Sequence, residues 1–183
     1  MFWNYLYIGF KHVVPLGLDH ILFIISLFFF NSKLKTAVIQ CTIFTLAHSF
    51  TLALVSLNYI TFNPKIIEVL IAVSIFIVSF ENVFQPTMRL WRLIIIFVFG
   101  LLHGMGFANA LKEVGLPKNE FVISLLGFNL GVEFAQILLI LLCFLIFGQL
   151  FQRKDWYHSK MVIPISIFIS TIALFWSIQR ILN

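Results

Sequence analysis

The sequence predicts an all-α polytopic membrane protein, a compact bundle of six transmembrane helices, on three observations. Of the 183 residues, 61% are hydrophobic and only 10% are charged, whereas a water-soluble domain carries about 25% charged residues. The mean hydropathy is +1.06. Apolar runs of about 20 residues, the length that crosses a bilayer, recur along the whole chain. The connections between them are short, so residues 1–183 form a single domain.

Six apolar runs define the predicted spans. The first covers about residues 5–31. Pro15 and Gly17 interrupt it, so an interfacial turn followed by a shorter helix is an alternative to one continuous helix. The other spans cover about residues 36–58, 65–84, 90–111, 120–148 and 161–179. Polar connections separate them, among them Gln85-Pro86 and residues 112–119.

Basic residues in the connections predict the orientation of the bundle. Connections rich in Lys and Arg face the cytoplasm, so we expect an inner-membrane protein with both termini outside the cytoplasm. The net charge of +5 then reflects orientation, and the expected partner is the lipid bilayer and not nucleic acid. A homo-oligomer is left open. The side with more basic residues carries Lys33, Lys35, Arg89, Arg92, Arg153, Lys154 and Lys160.

Ionisable and amide side chains lie inside five of the six predicted spans. One ionisable side chain at the bilayer centre costs about 2.5–3.5 kcal/mol even on a mild scale. Several of them are therefore tolerated only if they satisfy one another or hold an ion. These residues are Asp19, His20, His48, Glu81, Asn82, His103, Asn129, Glu133 and Gln136.

Depth along the helices predicts which of these groups meet. Asp19, His48 and His103 each lie roughly 18 Å from the cytoplasmic end of their spans, and Glu133 lies about 22 Å from that end. Glu81 lies only about 5–6 Å from it. We therefore expect a layer of metal-competent groups near mid-membrane, with Glu81 outside that layer.

Glycine pairs spaced four residues apart predict close helix packing. The fourth span contains Gly100 and Gly104, and the fifth contains Gly127 and Gly131; such pairs let helix backbones approach closely. Gly104 follows His103 directly. We expect the two pairs to bring the polar faces of the fourth and fifth spans together.

Imidazole and carboxylate groups together favour nickel, cobalt, zinc or iron over calcium or magnesium. Two alternatives stay open: Asp19 could orient a ligating histidine or cap a helix, and His48 and His103 could join helices by hydrogen bonds alone. Asp19 and His20 point about 100° apart on a regular helix, so we expect only one of them to bind the ion directly. The predicted metal ligands are Asp19, His20, His48, His103 and Glu133. The positions predicted to support them or to line a path are His12, Glu81, Asn82, Asn129 and Gln136.

Five segments of the chain resemble the HupE/UreJ family in order and in spacing. They are GFKHVVPLGLDHILF (residues 9–23), FTLAHSFTLAL (44–54), EN (81–82), FGLLHGMGFA (99–108) and FNLGVEFAQ (128–136). The spacing of seven residues from His12 to Asp19 resembles one subgroup, whereas the nickel-permease branch has a shorter gap. By resemblance, His12, Asp19, His20, His48, His103 and Glu133 are candidate ligands or relay groups.

The resemblance implies a secondary permease for a divalent transition metal of the nickel or cobalt class. The metal would enter near His12, pause at the mid-membrane layer and leave past Glu81, driven by the membrane potential. The alternative is an intramembrane zinc-type hydrolase or acyl-transfer enzyme, in which three histidines and an aspartate hold the metal. Its catalytic residues are unknown, with Glu133 or Glu81 as the general base.

Overall fold

The computed structural model describes residues 1–84, 87–114 and 120–182, with the backbone alone described for residues 108–114. The predicted connection at Gln85-Pro86 therefore lies outside the described residues. Of the predicted connection at residues 112–119, residues 112–114 are helical and residues 115–119 lie outside the described residues. These ranges are almost entirely helical and contain no strand. The helices in chain order are α1 Phe2–Val13, α2 Leu18–Phe29, α3 Leu34–Ser56, α4 Pro64–Glu81, α5 Leu90–Val114, α6 Phe121–Phe151 and α7 His158–Leu182.

Helices α3 to α7 are each long and apolar enough to cross a membrane. Helices α1 and α2 qualify together as a sixth span, although they are bent by 72° relative to each other. The predicted fold class, an all-α bundle of membrane-spanning helices, is therefore confirmed.

The first span is not the continuous helix of about residues 5–31 that its hydropathy predicts. Helix α1 ends at Val13 and α2 begins at Leu18, as the alternative interpretation of Pro15 and Gly17 expects. Pro15 lacks a backbone N–H and disfavours the helical conformation at the residue before it. The chain therefore turns in the middle of this span.

Three helix pairs and one central helix build the bundle. Helix α1 packs on α6, α3 packs on α5, and α4 packs on α7. Helix α2 lies between them and contacts α3, α4, α6 and α7. Its aromatic side chains, with those of α3 and α6, fill the core, where Phe23, Phe28, Phe44 and Phe128 are fully buried.

The glycine pairs approach helices other than the predicted ones. A Cβ on Gly104 would lie 2.3 Å from the carbonyl oxygen of His48, and a Cβ on Gly131 would lie 2.0 Å from that of Leu6. The glycines of α5 thus contact α3, and those of α6 contact α1. The expectation that they join the fourth and fifth spans is wrong, because the spacing permits close packing without choosing the partner helix.

The two ends of the bundle differ in their polar groups. We call the end at which α4 begins and α5 and α7 end the vestibule end, because a cavity opens there beside Glu68 and Arg180. We call the opposite end, at which α4 ends and α5 begins, the far end. Glu81 and Arg92 lie at the far end, where they form an ion pair.

Candidate metal centre

The break between α1 and α2 brings two histidine rings together edge to face. Gly17 lies in the turn, where a Cβ would be 2.2 Å from the carbonyl oxygen of His12. Any other residue would push this turn apart. Because the turn is so tight, the ring of His12 near the end of α1 lies against the ring of His20 at the start of α2, with 4.5 Å between centroids and 69° between the ring planes.

Helices α3 and α5 add two further histidines. A Cβ on Gly104 would lie 2.2 Å from Thr51 Oγ1, so only glycine lets α5 approach α3 this closely. The ring of His103, the preceding residue, lies 5.0 Å from that of His20. The ring of His48 lies 5.9 Å from His20 and 6.0 Å from His12. We call these four residues the histidine site.

Three of the four histidines offer ligand atoms to one point. The ligand nitrogens of His12, His20 and His48 all lie within 4.8 Å of one another. An ion bound to imidazole at about 2.0–2.1 Å holds its ligand atoms at most about 4.2 Å apart. Shifts of these side chains by less than about 1 Å therefore suffice for all three to bind one ion.

His103 is oriented by a hydroxyl group on α4. The Ser74 hydroxyl donates to the carbonyl oxygen of Ile71 at 2.7 Å, and His103 Nε2 lies 3.1 Å from the same Ser74 oxygen. The hydroxyl has only one hydrogen, so Nε2–H of His103 is the donor in this contact. The Nδ1 atom of His103 then carries the lone pair that a metal ligand needs.

The free ring nitrogens of the histidine site lack hydrogen-bond partners. Within the described part of the chain this holds for His12 Nε2, His20 Nε2, both nitrogens of His48 and His103 Nδ1, all of which are buried. Unsatisfied polar atoms of this kind are rare in folded proteins and call for a water or an ion. Neutral imidazole is a ligand for nickel, cobalt and zinc, so the donor set fits such an ion.

Aromatic rings enclose the histidine site on two sides. Phe107 and Phe128 are stacked at 5.0 Å, and His12 lies 3.6 Å from the Phe107 ring. Toward the far end, Phe23 and Phe44 lie 5.1 Å and 5.0 Å from His103. On these two sides the histidine site is therefore bordered by apolar rings.

A cavity of about 780 Å³ leads from the vestibule end to the histidine site. His12, His20 and His103 line its inner part, and Lys11, Glu68 and Arg180 are among the residues that line the rest. We call this cavity the vestibule. It gives an ion or a larger molecule access to three of the four histidines from one end of the bundle.

Asp19 lies in the vestibule and not among the three converging histidines. Both of its carboxylate oxygens accept hydrogen bonds from Nη2 of Arg180, at 3.0 and 3.2 Å. Asp19 and His20 diverge because they are neighbours on a regular helix. Of this pair, His20 is the residue that the structure places with the other imidazoles.

Glu133, Gln136 and Asn129 lie on α6, but the first two bond to α3 rather than to the histidines. Thr42 donates to Glu133 at 2.7 Å, and Thr45 donates to Gln136 at 3.0 Å. Asn129 Oδ1 is buried and has no partner among the described residues. The predicted layer at one depth therefore divides into the histidine site and a separate contact between α3 and α6.

Glu81 and Asn82 lie at the far end. Glu81 forms an ion pair with Arg92, whose Nε also donates to Gln40 at 2.9 Å. Asn82 donates to the carbonyl oxygen of Ser26 at 2.8 Å. Arg92 is only 1% exposed, although its place beside a predicted connection suggested a surface charge.

The sequence predicts that His12 supports the metal ligands or lines the path of the ion. The structure places it in one cluster with His20 and His48. The available signal was the pair Pro15 and Gly17 between His12 and His20, because a turn there brings both rings to one place. Nothing in the sequence marks Ser74 or Arg180 as residues that contact the site. Hydropathy does not tell a serine or arginine that contacts the site from one that does not.

A protein-family model described as HupE / UreJ protein matches residues 1–180 of the chain. No curated protein and no solved structure matches.

Proposed function

Since the chain belongs to the HupE/UreJ family, which is associated with nickel and cobalt transport, we propose that it is a secondary permease for a divalent transition metal of that class. It is a multi-pass membrane protein. The observation that carries the proposal is the convergence of His12, His20 and His48, from three different helices, on one point inside the bundle.

The path of the cargo ion follows the polar groups of the bundle. The ion enters through the vestibule, where Asp19 and Glu68 contribute carboxylates. It then exchanges water for the imidazoles of the histidine site, which lies where the first span is broken. Broken helices near the bilayer midplane are typical of substrate sites in secondary transporters.

Leaving the histidine site requires the far end to open. Phe23 and Phe44 lie directly beyond the imidazoles, and the Glu81–Arg92 pair lies beyond them. A cation reaches Glu81 only when Arg92 moves away from it. The structure therefore corresponds to a state that is open at the vestibule end and closed at the far end. With the orientation predicted from the basic residues, the vestibule end faces outward.

Metal uptake tests this function directly. Cells expressing the wild type should accumulate nickel or cobalt, and His48→Ala should lower the uptake about tenfold or more, because it removes an imidazole from the cluster. His158→Ala is the matched control, since His158 bonds to the carbonyl oxygen of Asn82 at the far end and should leave uptake unchanged. Equal accumulation by the wild type, His48→Ala and cells lacking the protein would contradict the proposal.

A metal-dependent hydrolase is the second candidate, because three imidazoles beside a cavity also suit a zinc ion with an open position for water. The general bases expected for it lie away from the histidine site: Glu81 is paired with Arg92 at the far end, and Glu133 accepts from Thr42 in the separate contact between α3 and α6. These two contacts make the permease the stronger candidate. Cleavage of a lipid ester by the zinc-loaded wild type, lost in His48→Ala, would favour the hydrolase.

A further inference from the structure

A second cavity, of about 590 Å³, lies at the far end of the bundle. It is formed by the turn between α2 and α3 and by the connection between α6 and α7. Among the described residues, none lines both this cavity and the vestibule. Phe29 and Phe30 give the cavity an apolar floor, and Lys33 and Arg153 lie at its rim. We call it the basic cavity.

The basic cavity carries positive charge that the protein does not neutralise. Lys33 and Arg153 are both exposed, and neither belongs to an ion pair in the described ranges. No aspartate or glutamate is among the described residues that line the cavity. Ammonium and guanidinium groups bind phosphate oxygens by charge-assisted hydrogen bonds, the guanidinium with two donors at once. The cavity is therefore suited to a phosphate-bearing anion.

Two buried hydroxyl groups in the wall of the basic cavity have one hydrogen that is not used. Ser32 Oγ and Tyr157 Oη lie 2.8 Å apart and share a hydrogen bond. Both residues line the cavity and are only 2% and 6% exposed. Each hydroxyl carries one hydrogen, and neither makes a further hydrogen bond within the part of the chain that the structure describes. Because buried donors normally have an acceptor, the second hydrogen calls for a ligand oxygen.

The backbone around the basic cavity departs from regular helix at three places. Ser32 has a φ of 54°, in the left-handed region that is uncommon for residues other than glycine. The segments Phe144–Gly148 of α6 and His158–Val162 of α7 are π-helical turns, one on each side of the connection. Such turns are rare and frequently occur at functional sites. All three irregular positions thus lie around the same cavity.

The basic cavity lies where spans end, which is the level of the lipid headgroups. Trp156 of the connection between α6 and α7 is 36% exposed, and its ring lies 5.7 Å from that of Phe151. Tryptophan is enriched at the boundary between the bilayer and water. Basic pockets between membrane-spanning helices bind anionic headgroups. This position favours a phospholipid over a soluble phosphate compound as the ligand.

We propose that the basic cavity binds the headgroup of an anionic phospholipid, whether or not the protein transports a metal. Lys33 and Arg153 bind the phosphate oxygens, and the pair of Ser32 and Tyr157 donates its second hydrogen to one of them. The apolar floor of the cavity contacts the part of the lipid next to the headgroup. The bound lipid joins the turn between α2 and α3 to the connection between α6 and α7, because each of them contributes one basic residue.

Native mass spectrometry of the purified full-length protein in detergent tests the site. The wild type should retain added phosphatidylglycerol, and Lys33→Gln/Arg153→Gln should retain it several-fold less. Lys35→Gln/Lys154→Gln is the matched control, since it removes the same charge from exposed basic residues nearby in the sequence that do not line the cavity. This control should retain phosphatidylglycerol as the wild type does.

Three results of this experiment would overturn the proposal. Equal losses in the two double variants would mean that the lipid responds only to the total charge of this end. Equal retention of phosphatidylcholine with the same acyl chains would mean that the cavity does not select an anionic headgroup. Displacement of the lipid by inorganic phosphate at an equal concentration would mean that the ligand is a soluble anion.

Thermal unfolding in detergent separates a lost lipid site from a lost fold. Without added lipid, both double variants should melt at the wild-type temperature, because Lys33 and Arg153 are exposed and form no ion pair in the described ranges. Phosphatidylglycerol should raise the melting temperature of the wild type and of Lys35→Gln/Lys154→Gln, since a ligand that binds the folded state stabilises it. It should not raise that of Lys33→Gln/Arg153→Gln. A rise of equal size in all three proteins would overturn the proposal.

Discussion

Two arginine–carboxylate pairs in this protein differ in their exposure to water. The side chains of Arg92 and Glu81 are 2% and 20% exposed, whereas those of Arg180 and Asp19 are 24% and 25% exposed. Arg92 also donates to Gln40 and lies over the ring of Phe30 at 3.7 Å. Removing one partner of a buried pair leaves the other charge unpaired, whereas an exposed partner is solvated by water.

We expect Arg92→Met to destabilise the protein by about 3 kcal/mol, the lower end of the range for breaking a buried pair, because Glu81 keeps some contact with water. Arg180→Met, the matched control, should cost about 1 kcal/mol or less. Denaturant unfolding in detergent measures both changes. Adding Glu81→Gln to Arg92→Met should recover part of the loss. Equal destabilisation by the two arginine variants would contradict this assignment.

Single residues of the site could be predicted from the sequence only in part. The ionisable side chains inside apolar runs identified His20, His48 and His103, because such residues are costly in a membrane unless they have a role. The depth of a residue along its helix does not determine which side chains of other helices it contacts. Asp19 and Glu133 were placed at the level of the histidines, yet the structure pairs them with Arg180 and Thr42. The roles predicted for them as ligands stay predictions.

The broken first span is the helical element that creates the site. Helix α1 packs on α6 while α2 packs within the centre of the bundle, so the turn between them holds His12 against His20. Helix α5 completes the arrangement through its contact with α3 at Gly104. The position of each imidazole therefore depends on how closely two helices approach.

Gly104→Ala tests this dependence. The added Cβ would overlap the backbone carbonyl of His48 and the hydroxyl of Thr51, so α5 must move away from α3, at a cost of about 1–3 kcal/mol. We expect a lower melting temperature and weaker nickel binding, measured by calorimetry. Gly106→Ala is the control, because its Cβ would meet no backbone: it would press on the flexible end of the Ile71 side chain and make an ordinary contact with Ile67. Wild-type nickel affinity in Gly104→Ala would contradict this account.

Helices are predictable from this sequence more readily than their contacts. The long apolar runs predict the spans. Pro15 and Gly17 predict the turn in the first span as an alternative to one continuous helix. The angle of 72° was not predictable, because it follows from the separate packing of α1 and α2. The glycine pairs likewise predicted close approach, but the partner helices follow from the order in which the whole bundle packs.

Across the whole molecule, polar groups form a series from one end of the bundle to the other. The vestibule leads to the histidine site, Glu133 lies beyond it between α3 and α6, and the Glu81–Arg92 pair closes the far end. Three or more separate polar positions at different depths are what a path through a membrane requires, whereas a catalytic centre requires one. The arrangement of these groups therefore supports the proposed transport.

X-ray absorption spectroscopy of the purified, nickel-loaded protein tests the convergence of the histidines most directly. Because the nitrogens of His12, His20 and His48 lie within 4.8 Å of one another, we expect one nickel ion per chain with at least three imidazole ligands. His48→Ala should lose one imidazole from the spectrum, and His158→Ala should leave it unchanged. An ion bound by no more than one imidazole, or a spectrum that His48→Ala does not alter, would contradict the account.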